Sequence, residues 1–475
     1  MRLAGADQME MALNKNNSHE PAQLLDTTYS DRIIEGLLRE IRPQDRNILD
    51  VGCGDGRFGR RIKDKRSDVV VIGVEADATA ASLALEVLDT VYALNIEVET
   101  LPIAVGTIDC IILDKSLQTA RNPEDVLRKL IPLLSPNGRI VAVISNAQHF
   151  ETLASLIAGD IQMRNTGPLH RNNLHLLGAA NIQKLFLDSG LMPHFTSVVG
   201  NEVPPGMAEA LLPIIKHLQL NPDFFLHKLA IQEYICTGDI MDMAQVSHRS
   251  ITFVAAVNNT RQFQDNLLAS PIFRNGRHEI IPVTGAKSAA DALRIGLGRA
   301  TEVKDLIVLL HQDIYLPEGW DDKLIAGIET SERTSGPVGI AGVFGVVQTS
   351  TGTFERAGKV LDRHNTLETK HRFPALATSL DEIVLAFPVR NSAIAGLEPD
   401  LGFHMYGSEV CLKVRDVGET AIIVDAPCLH NSESGYQLDQ AFAKSAQIFS
   451  SRRKANFPYA TTCVKFDNEG QATVW

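Results

Sequence analysis

Short β-branched runs alternate with amphipathic helical stretches twice along this chain, and the rhythm breaks once between the two series. The first series opens near Asp31 with IIEGLLREI at helical spacing. NILDVG, a helix, VVVIGVE, a helix, DCIILD, the helix EDVLRKLIPLL and RIVAVIS follow. A helix near IQKLFLDSG and the strand-like IQEYICT (231–237) close it. The second series runs ITFVAAV, a helix over QFQDNLLAS, EIIPVTG, a helix over SAADALRIGLGRA, DLIVLL, and a helix from about Trp320. VGIAGVFGVV and EIVLAFPV read as strands, MYGSEVCLKVRDVG as a helix, and AIIVDAPCLH as a last strand. Alternation of this kind builds a parallel sheet with helices on both faces. The fold class expected is therefore α/β in two domains, and 475 residues are too many for one ordinary core. The polar stretch GDIMDMAQVSHRS marks the break. It divides the chain into a polar segment 1–30, a first domain 31–238, a linker 239–249 and a second domain 250–475. Residues 350–376 carry no clear pattern and read as a loop excursion. The two series do not repeat each other in sequence.

Charge and cysteine usage exclude several classes. Against 57 acidic residues stand 45 Lys and Arg, a formal charge of −12, which argues against a broad basic face for duplex nucleic acid. The six cysteines, at 53, 110, 236, 411, 428 and 463, include no CxxC pair, so free buried thiols in a reducing compartment are expected. The start of the chain lacks the cationic-then-apolar order of a signal peptide, and no run of eighteen apolar residues occurs. The expectation is a cytoplasmic protein, or one peripheral at the inner membrane, with no transmembrane segment and no nucleic-acid partner.

Asp50-Val51-Gly52-Cys53-Gly54-Asp55-Gly56 joins the first strand to a helix. Glycines let the backbone turn sharply and a ligand approach closely, above a helix N-terminus with unpaired N–H groups. A dinucleotide fingerprint would need a glycine at 57, where Arg57 stands. The G-x-G-x-G spacing, with a carboxylate two residues before it, resembles motif I of class I S-adenosylmethionine-dependent methyltransferases. The resemblance extends over about Asp31 to Gly238 and includes LSPNGRIVAVISN, similar to that family's turn before strand five. It implies S-adenosylmethionine as cofactor, held by Asp50, Gly52, Gly54 and Gly56, by Glu75 at the ribose hydroxyls, by Glu97 near the adenine, and by Asp114 at the end of DCIILD. The chain departs from such relatives at Gln118-Thr119, where Glu-His is common, and in GPLHRNNLHLL (167–177). His149, His170 and His175 are the candidate general bases, although an ordinary polar loop residue is the favoured reading of each. Methyl transfer from a sulfonium needs mainly alignment and a free lone pair, so none of them is required.

In the second half polar residues gather where strands end. ITFVAAV stops at Asn258-Asn259, and DLIVLL at His311-Gln312-Asp313. Ligands of open α/β sheets bind beyond the carboxyl ends of strands, and a carboxylate there can hold a divalent cation that neutralises a diphosphate. LLHQDIYLPEGW resembles the "HQD" form of family-2-like GT-A glycosyltransferases, with His311 in place of the first acid of a D-x-D. VGIAGVFG, DEIVLAFPVR, FHMYGSEVCLKVRDVG and CLHNSESG follow in the family's order, over about Ser250 to Ser450. The resemblance implies a GT-A-type α/β sheet and a divalent cation (Mn²⁺ or Mg²⁺) at Asp313 and His430. It implies nucleotide-sugar contacts at Asn258, His311 and Asp313, an acceptor-side Asp381, and Glu409 as the base in an inverting single displacement. Gly407 and Glu409 stand where relatives commonly have Asp. The competing readings are structural: Asp313 as a cap before Pro317, Glu409 as a first-turn helix acid, His430 as a loop histidine, and Trp320 as core packing.

The function these features imply is bifunctional: S-adenosylmethionine-dependent methyl transfer with glycosyl transfer from a nucleotide sugar to a glycan or glycosylated small molecule, as in bacterial polysaccharide or glycosylated-metabolite biosynthesis. The alternatives are a glycosyltransferase with a non-catalytic S-adenosylmethionine-binding domain, and a non-enzymatic nucleotide sensor.

Overall fold

The computed structural model describes residues 22–159, 161–165, 167–218, 220–241, 251–274, 276–300, 305–362, 365–389, 397–432 and 438–474. Its first half holds β1 (Asn47–Val51), β2 (Val70–Glu75), β3 (Thr90–Ala93), β4 (Ile108–Asp114), β5 (Leu134–Ser145), β6 (Leu191–Gly200) and β7 (Ile231–Ile240) in one sheet. The order is β3-β2-β1-β4-β5-β7-β6. β1 to β5 run parallel, and β7 lies antiparallel to both β5 and β6. Period-two alternation splits the apolar residues between two cores. Leu49, Ile111 and Leu113 face one layer of helices, while Ile48, Cys110 and Ile112 face the other. The chain leaves β1 toward β2 on one side and returns to β4 on the other, so the crevice between the carboxyl ends of β1 and β4 is the switch point where such sheets bind ligands.

The second half opens with β8 (Ile251–Val257), β9 (Glu279–Thr284), β10 (Leu306–His311) and β11 (Ile314–Tyr315). β12 (Val338–Gly342), β13 (Phe344–Gln348), β14 (Phe354–Asp362), β15 (Asn365–Glu368), β16 (Ala375–Leu376), β17 (Ser379–Leu380), β18 (Val384–Pro388), β19 (Thr420–Ile423) and β20 (Cys428–His430) follow. Seven of these strands form a mixed sheet of order β16-β19-β12-β18-β10-β8-β9, in which β8, β9 and β10 are parallel and β18 is antiparallel to its neighbours. A second sheet carries β11-β20-β14-β13-β17, with β15 on β14. The chain again turns to opposite sides of β8, placing a second switch point between β8 and β10. Trp320 is fully buried at the start of the helix Trp320–Ser335 and donates its indole N–H to the Ala426 carbonyl at 3.0 Å, so it packs the core as expected.

Several expectations change. Residues 350–376 are not a bare loop: β14 and β15 pair as a hairpin. β7 runs through Asp239 and Ile240, which had been assigned to the linker, and residues 242–250 lie outside those described. The helix Ala22–Glu40 takes up the end of the segment expected to be polar and loose, while residues 1–21 lie outside the description. The helices Pro205–His217 and Pro222–Ala230, inserted between β6 and β7, had no counterpart in the sequence reading. Neither had the terminal sheet of β21 (Tyr459–Ala460), β22 (Val464–Phe466) and β23 (Ala472–Val474) beside the helix Gln440–Arg453. Among the described residues no helix is long and apolar enough to cross a membrane.

The two halves are joined by more than the connecting chain. Leu187 and Met192 of the first pack with Tyr315, Leu361 and Leu429 of the second. The Tyr315 hydroxyl donates to the Asp188 carboxylate, and the Lys184 ammonium sits 4.6 Å above the Tyr315 ring.

Candidate functional site

At the first switch point Gly52, Gly54 and Gly56 all adopt positive φ. Their roles separate on what a side chain would meet. A Cβ at Gly56 would approach the Ala84 backbone to 3.1 Å, so that glycine lets loop and helix pack. A Cβ at Gly54 would meet nothing within 4 Å, so that glycine keeps the space above the loop open. Glu75, at the end of β2, accepts the Gly54 and Asp77 amides, each at 2.9 Å. A cavity of about 320 Å³ lies against this loop; Gly52, Glu75, Glu97, Asp114, Lys115 and Ser116 are among its walls. Glu97 is steadied by the Arg121 amide at 2.8 Å.

Asp50 lies beneath the loop and is not among the residues lining the cavity. It is only 2% exposed, and its Oδ2 has no hydrogen-bond partner. Burial, with repulsion from Asp114 and Glu75, pushes its carboxyl from 3.8 up to about 7. The folded state then holds this proton more tightly than the unfolded chain does. Its stabilising contribution is complete below about pH 4 and is lost as pH rises through 7. Asp50→Asn is expected to remove that loss. Ligand-free melts should agree near pH 4, and at pH 8 the variant should melt several degrees higher, the shift being worth at most about 4 kcal/mol. A difference in melting temperature that does not vary with pH would overturn this account.

Gln118 is buried and brackets Ser145, accepting its N–H at 2.6 Å and donating to its carbonyl at 3.0 Å. This departure from the family pattern therefore closes the end of β5, and Thr119 is left to line the cavity. His149, His170 and His175 are not among the lining residues. His175 contacts the Ala120 carbonyl at 3.0 Å and His170 accepts the Asn172 amide at 3.1 Å, whereas both ring nitrogens of His149 are buried without a partner. The structure gathers none of the three as a base at this cavity.

At the second switch point His311, Asp313 and His430 each offer a ligand atom, all within 4.8 Å of one another. Gln312, which the sequence reading passed over, ties the two strand ends together. Its carbonyl oxygen accepts the Asn258 and Asn259 amides at 2.9 Å, and its amide donates to Asn258 Oδ1 at 2.6 Å. Asn259 also caps the helix Thr260–Asp265. The Asp313 carbonyl is held by the Asn431 amide at 2.9 Å, while its carboxylate Oδ1 is buried, unpartnered, and 3.6 Å from His430 Nε2. The other ring nitrogen of His430 meets Asp362 at 3.1 Å. A carboxylate behind a histidine in this way sets the ring orientation at metal sites. Burial opposes a charge on His430, but Asp313 and Asp362 outweigh it and carry the imidazole to about 8; burial lowers His311. Asp362 lay in the stretch that had no pattern, and only the pairing of β14 with β20 brings it to His430.

Asp381 accepts the Thr462 hydroxyl at 2.6 Å. Its neighbour Glu382 accepts the Gly407 amide at 3.2 Å, at the start of the helix Tyr406–Asp416. Burial and the Asp381 charge push Glu382 up to about 8. Glu409, the expected base, is engaged by a cation in this structure. It is fully buried and chelated by the Arg453 guanidinium at 2.8 to 3.2 Å, because its helix turns that face to the helix Gln440–Arg453. A buried carboxylate paired with a bidentate cation is a weaker and less accessible proton acceptor. Glu409→Ala is expected to cost about 3–5 kcal/mol of stability, as breaking a buried pair does. Chemical denaturation measures this. A variant that unfolds like the parent but selectively loses sugar transfer would restore Glu409 as the base.

Residues 49–140 match the model of a family described as a methyltransferase domain. An uncharacterized 37.1 kDa protein in transposon TN4556 of Streptomyces fradiae is 30% identical over 118 residues, 24% of this chain and 33% of that protein. The chain thus spans about a third of the length of this curated relative. Among solved structures, an S-adenosylmethionine-dependent methyltransferase from Archaeoglobus fulgidus is 13% identical and covers 46% of this chain and 100% of its own, with a TM-score of 0.33. The YcgJ protein of Bacillus subtilis covers 45% and 99% at 14% identity, with a TM-score of 0.33. The plantazolicin methyltransferase BpumL in complex with SAH covers 50% and 92% at 16% identity, with a TM-score of 0.31. Residues 49–140 are thus similar to a methyltransferase domain. The match ends at residue 140, and the second half stands on its own geometry.

Proposed function

We propose that the first half is an S-adenosylmethionine-dependent methyltransferase and the second a metal-assisted, nucleotide-sugar-dependent glycosyltransferase. The family match over the β1 loop supports the first activity, and the convergence of His311, Asp313 and His430 at the second switch point supports the other. The residues fit both groups. The cavity walled by Gly52, Glu75 and Glu97 would admit a cofactor, with Glu75 meeting the ribose hydroxyls, and Gly54 carries no side chain to obstruct it. S-adenosylmethionine supplies an electrophilic methyl group on a sulfonium, and the chain supplies alignment. Asp313 Oδ1, which has no hydrogen-bond partner and lies 3.6 Å from His430 Nε2, and the His430–Asp362 pair suit a cation site. Two imidazoles and a carboxylate favour Mn²⁺ over Mg²⁺, which prefers oxygen. A divalent cation there neutralises a diphosphate leaving group. Asn258 and Gln312 orient the nucleotide end. The proton acceptor passes from Glu409 to the Asp381–Glu382 pair.

Titration calorimetry on the full chain tests this reading. S-adenosylhomocysteine should bind without metal, and UDP-, GDP- or dTDP-sugars only with Mn²⁺ present. Nucleotide binding indifferent to Mn²⁺ would end the glycosyltransferase assignment, and absent S-adenosylhomocysteine binding the other.

A further inference from the structure

Residues just past the carboxyl ends of strands in both halves line one cavity. Gln148 lies three residues past the end of β5, and Asn259 two past the end of β8. Ser432 lies two past the end of β20. All three line one cavity of about 330 Å³, together with Phe224, Lys228 and Arg261. The helix Pro222–Ala230 brings the first half to it. β7 starts beside the end of β5, with Glu233 opposite Ser145, so the insertion between β6 and β7 stands over the ligand edge of the first sheet. Asn146 anchors it there, donating to the Lys228 and Ile231 carbonyls at 2.9 and 2.7 Å. From the second half, Gln312 ties the Asn259 amide to the strand end that carries His311 and Asp313. Ser432 follows Asn431, whose amide holds the Asp313 carbonyl.

We propose that this cleft is an acceptor site shared by both active sites, and that its ligand is an anionic glycoside, a sugar ring bearing a phosphate or carboxylate. The inference rests on the two-site reading above and names its substrate class. The side-chain amides of Gln148 and Asn259 match the hydroxyls of a sugar, and Phe224 and Ser432 complete the wall. Lys228 and Arg261 bring positive charge to a protein whose net charge is −12, and Arg261 keeps its guanidinium solvent-exposed beside Asp265 at 3.4 Å. The volume lies in the range of small-ligand clefts. One acceptor lodged here is presented to the carboxyl ends of both sheets, so a single binding event serves methylation and glycosylation.

The test is ligand-observed NMR on the full chain in the presence of chelator, so that no cation carries the phosphate. The probes are glucose 1-phosphate, glucuronate and neutral methyl α-glucoside. Both anionic sugars should bind at least tenfold more tightly than the glucoside. Lys228→Ala with Arg261→Ala should remove that preference, and Gln148→Trp, which fills the cleft from an exposed position, should abolish binding of all three. S-adenosylhomocysteine and Mn²⁺ affinities should stay within about threefold in these variants, which also verifies their folding. Absence of sugar binding, equal binding of neutral and anionic probes, or binding untouched by the variants would overturn the shared cleft. Failure of S-adenosylhomocysteine or Mn²⁺ to bind the parent chain would instead overturn the two-site reading.

Discussion

Asp313→Ala is expected to weaken Mn²⁺ binding on the order of 100-fold or more and to remove metal-dependent nucleotide-sugar binding, with S-adenosylhomocysteine affinity unchanged. The carboxylate is the one anionic donor of the three, and its Oδ1 has no hydrogen-bond partner in the ligand-free chain. The main chain of Asp313 still holds Asn431, and His430, which loses the carboxylate 3.6 Å from its Nε2, keeps Asp362 as a partner. The melting temperature should move by no more than a few degrees. Asp362→Asn is the companion variant. It leaves all three donors in place but takes the negative charge from behind His430, so a smaller loss of roughly 10- to 100-fold is expected. Manganese titration followed by paramagnetic resonance reads both. Undiminished Mn²⁺ affinity in Asp313→Ala would mean that the three side chains are neighbours without being ligands.

Gly54→Val should do the reverse, lowering S-adenosylhomocysteine affinity on the order of 100-fold or more while Mn²⁺ binding stays intact. Two effects combine. Gly54 sits at φ +55, where a β-branched residue is strained by roughly 1–3 kcal/mol. The added methyls also project into the open space that the cofactor would fill, since a Cβ there meets no protein atom within 4 Å. Gly54→Ala separates them, because alanine occupies less of the space and should weaken binding less. If Gly54→Val bound S-adenosylhomocysteine within threefold of the parent, the space above the loop would not be the cofactor's. If either Gly54→Val or Asp313→Ala abolished both kinds of binding, the two sites would not be independent. The packing of Tyr315, Leu361 and Leu429 against the first half makes that outcome physically meaningful, because Leu361 and Leu429 adjoin Asp362 and His430 on β14 and β20, and Asp313 lies just before the strand of Tyr315.

Much of this was legible in the amino-acid order because it depends on local rules. Strands and helices follow from periodicity, the glycine loop from backbone sterics, and the polar strand ends from the way an open α/β sheet exposes its carboxyl edge. Those rules pointed to Gly52, Gly54, His311 and Asp313 and gave Trp320 its place in the core, while Glu75 came from resemblance. His430, 117 residues after Asp313, came only from resemblance. The remainder depends on which distant segments meet, and no local signal carries that. Asp362 reaches His430 because β14 lies beside β20. Glu409 is paired with Arg453, 44 residues away, because a terminal helix packs on its own. Glu382 sits one position from the expected acid, and Gln118 became a backbone clamp. The cleft of Gln148, Lys228, Asn259 and Arg261 exists only because two separately readable halves dock with their ligand edges together. Sequence alone determined where each half could bind a ligand, since strand ends and glycine turns are local. Tertiary structure alone decided which charges there are free to act, since burial and long-range pairing set that.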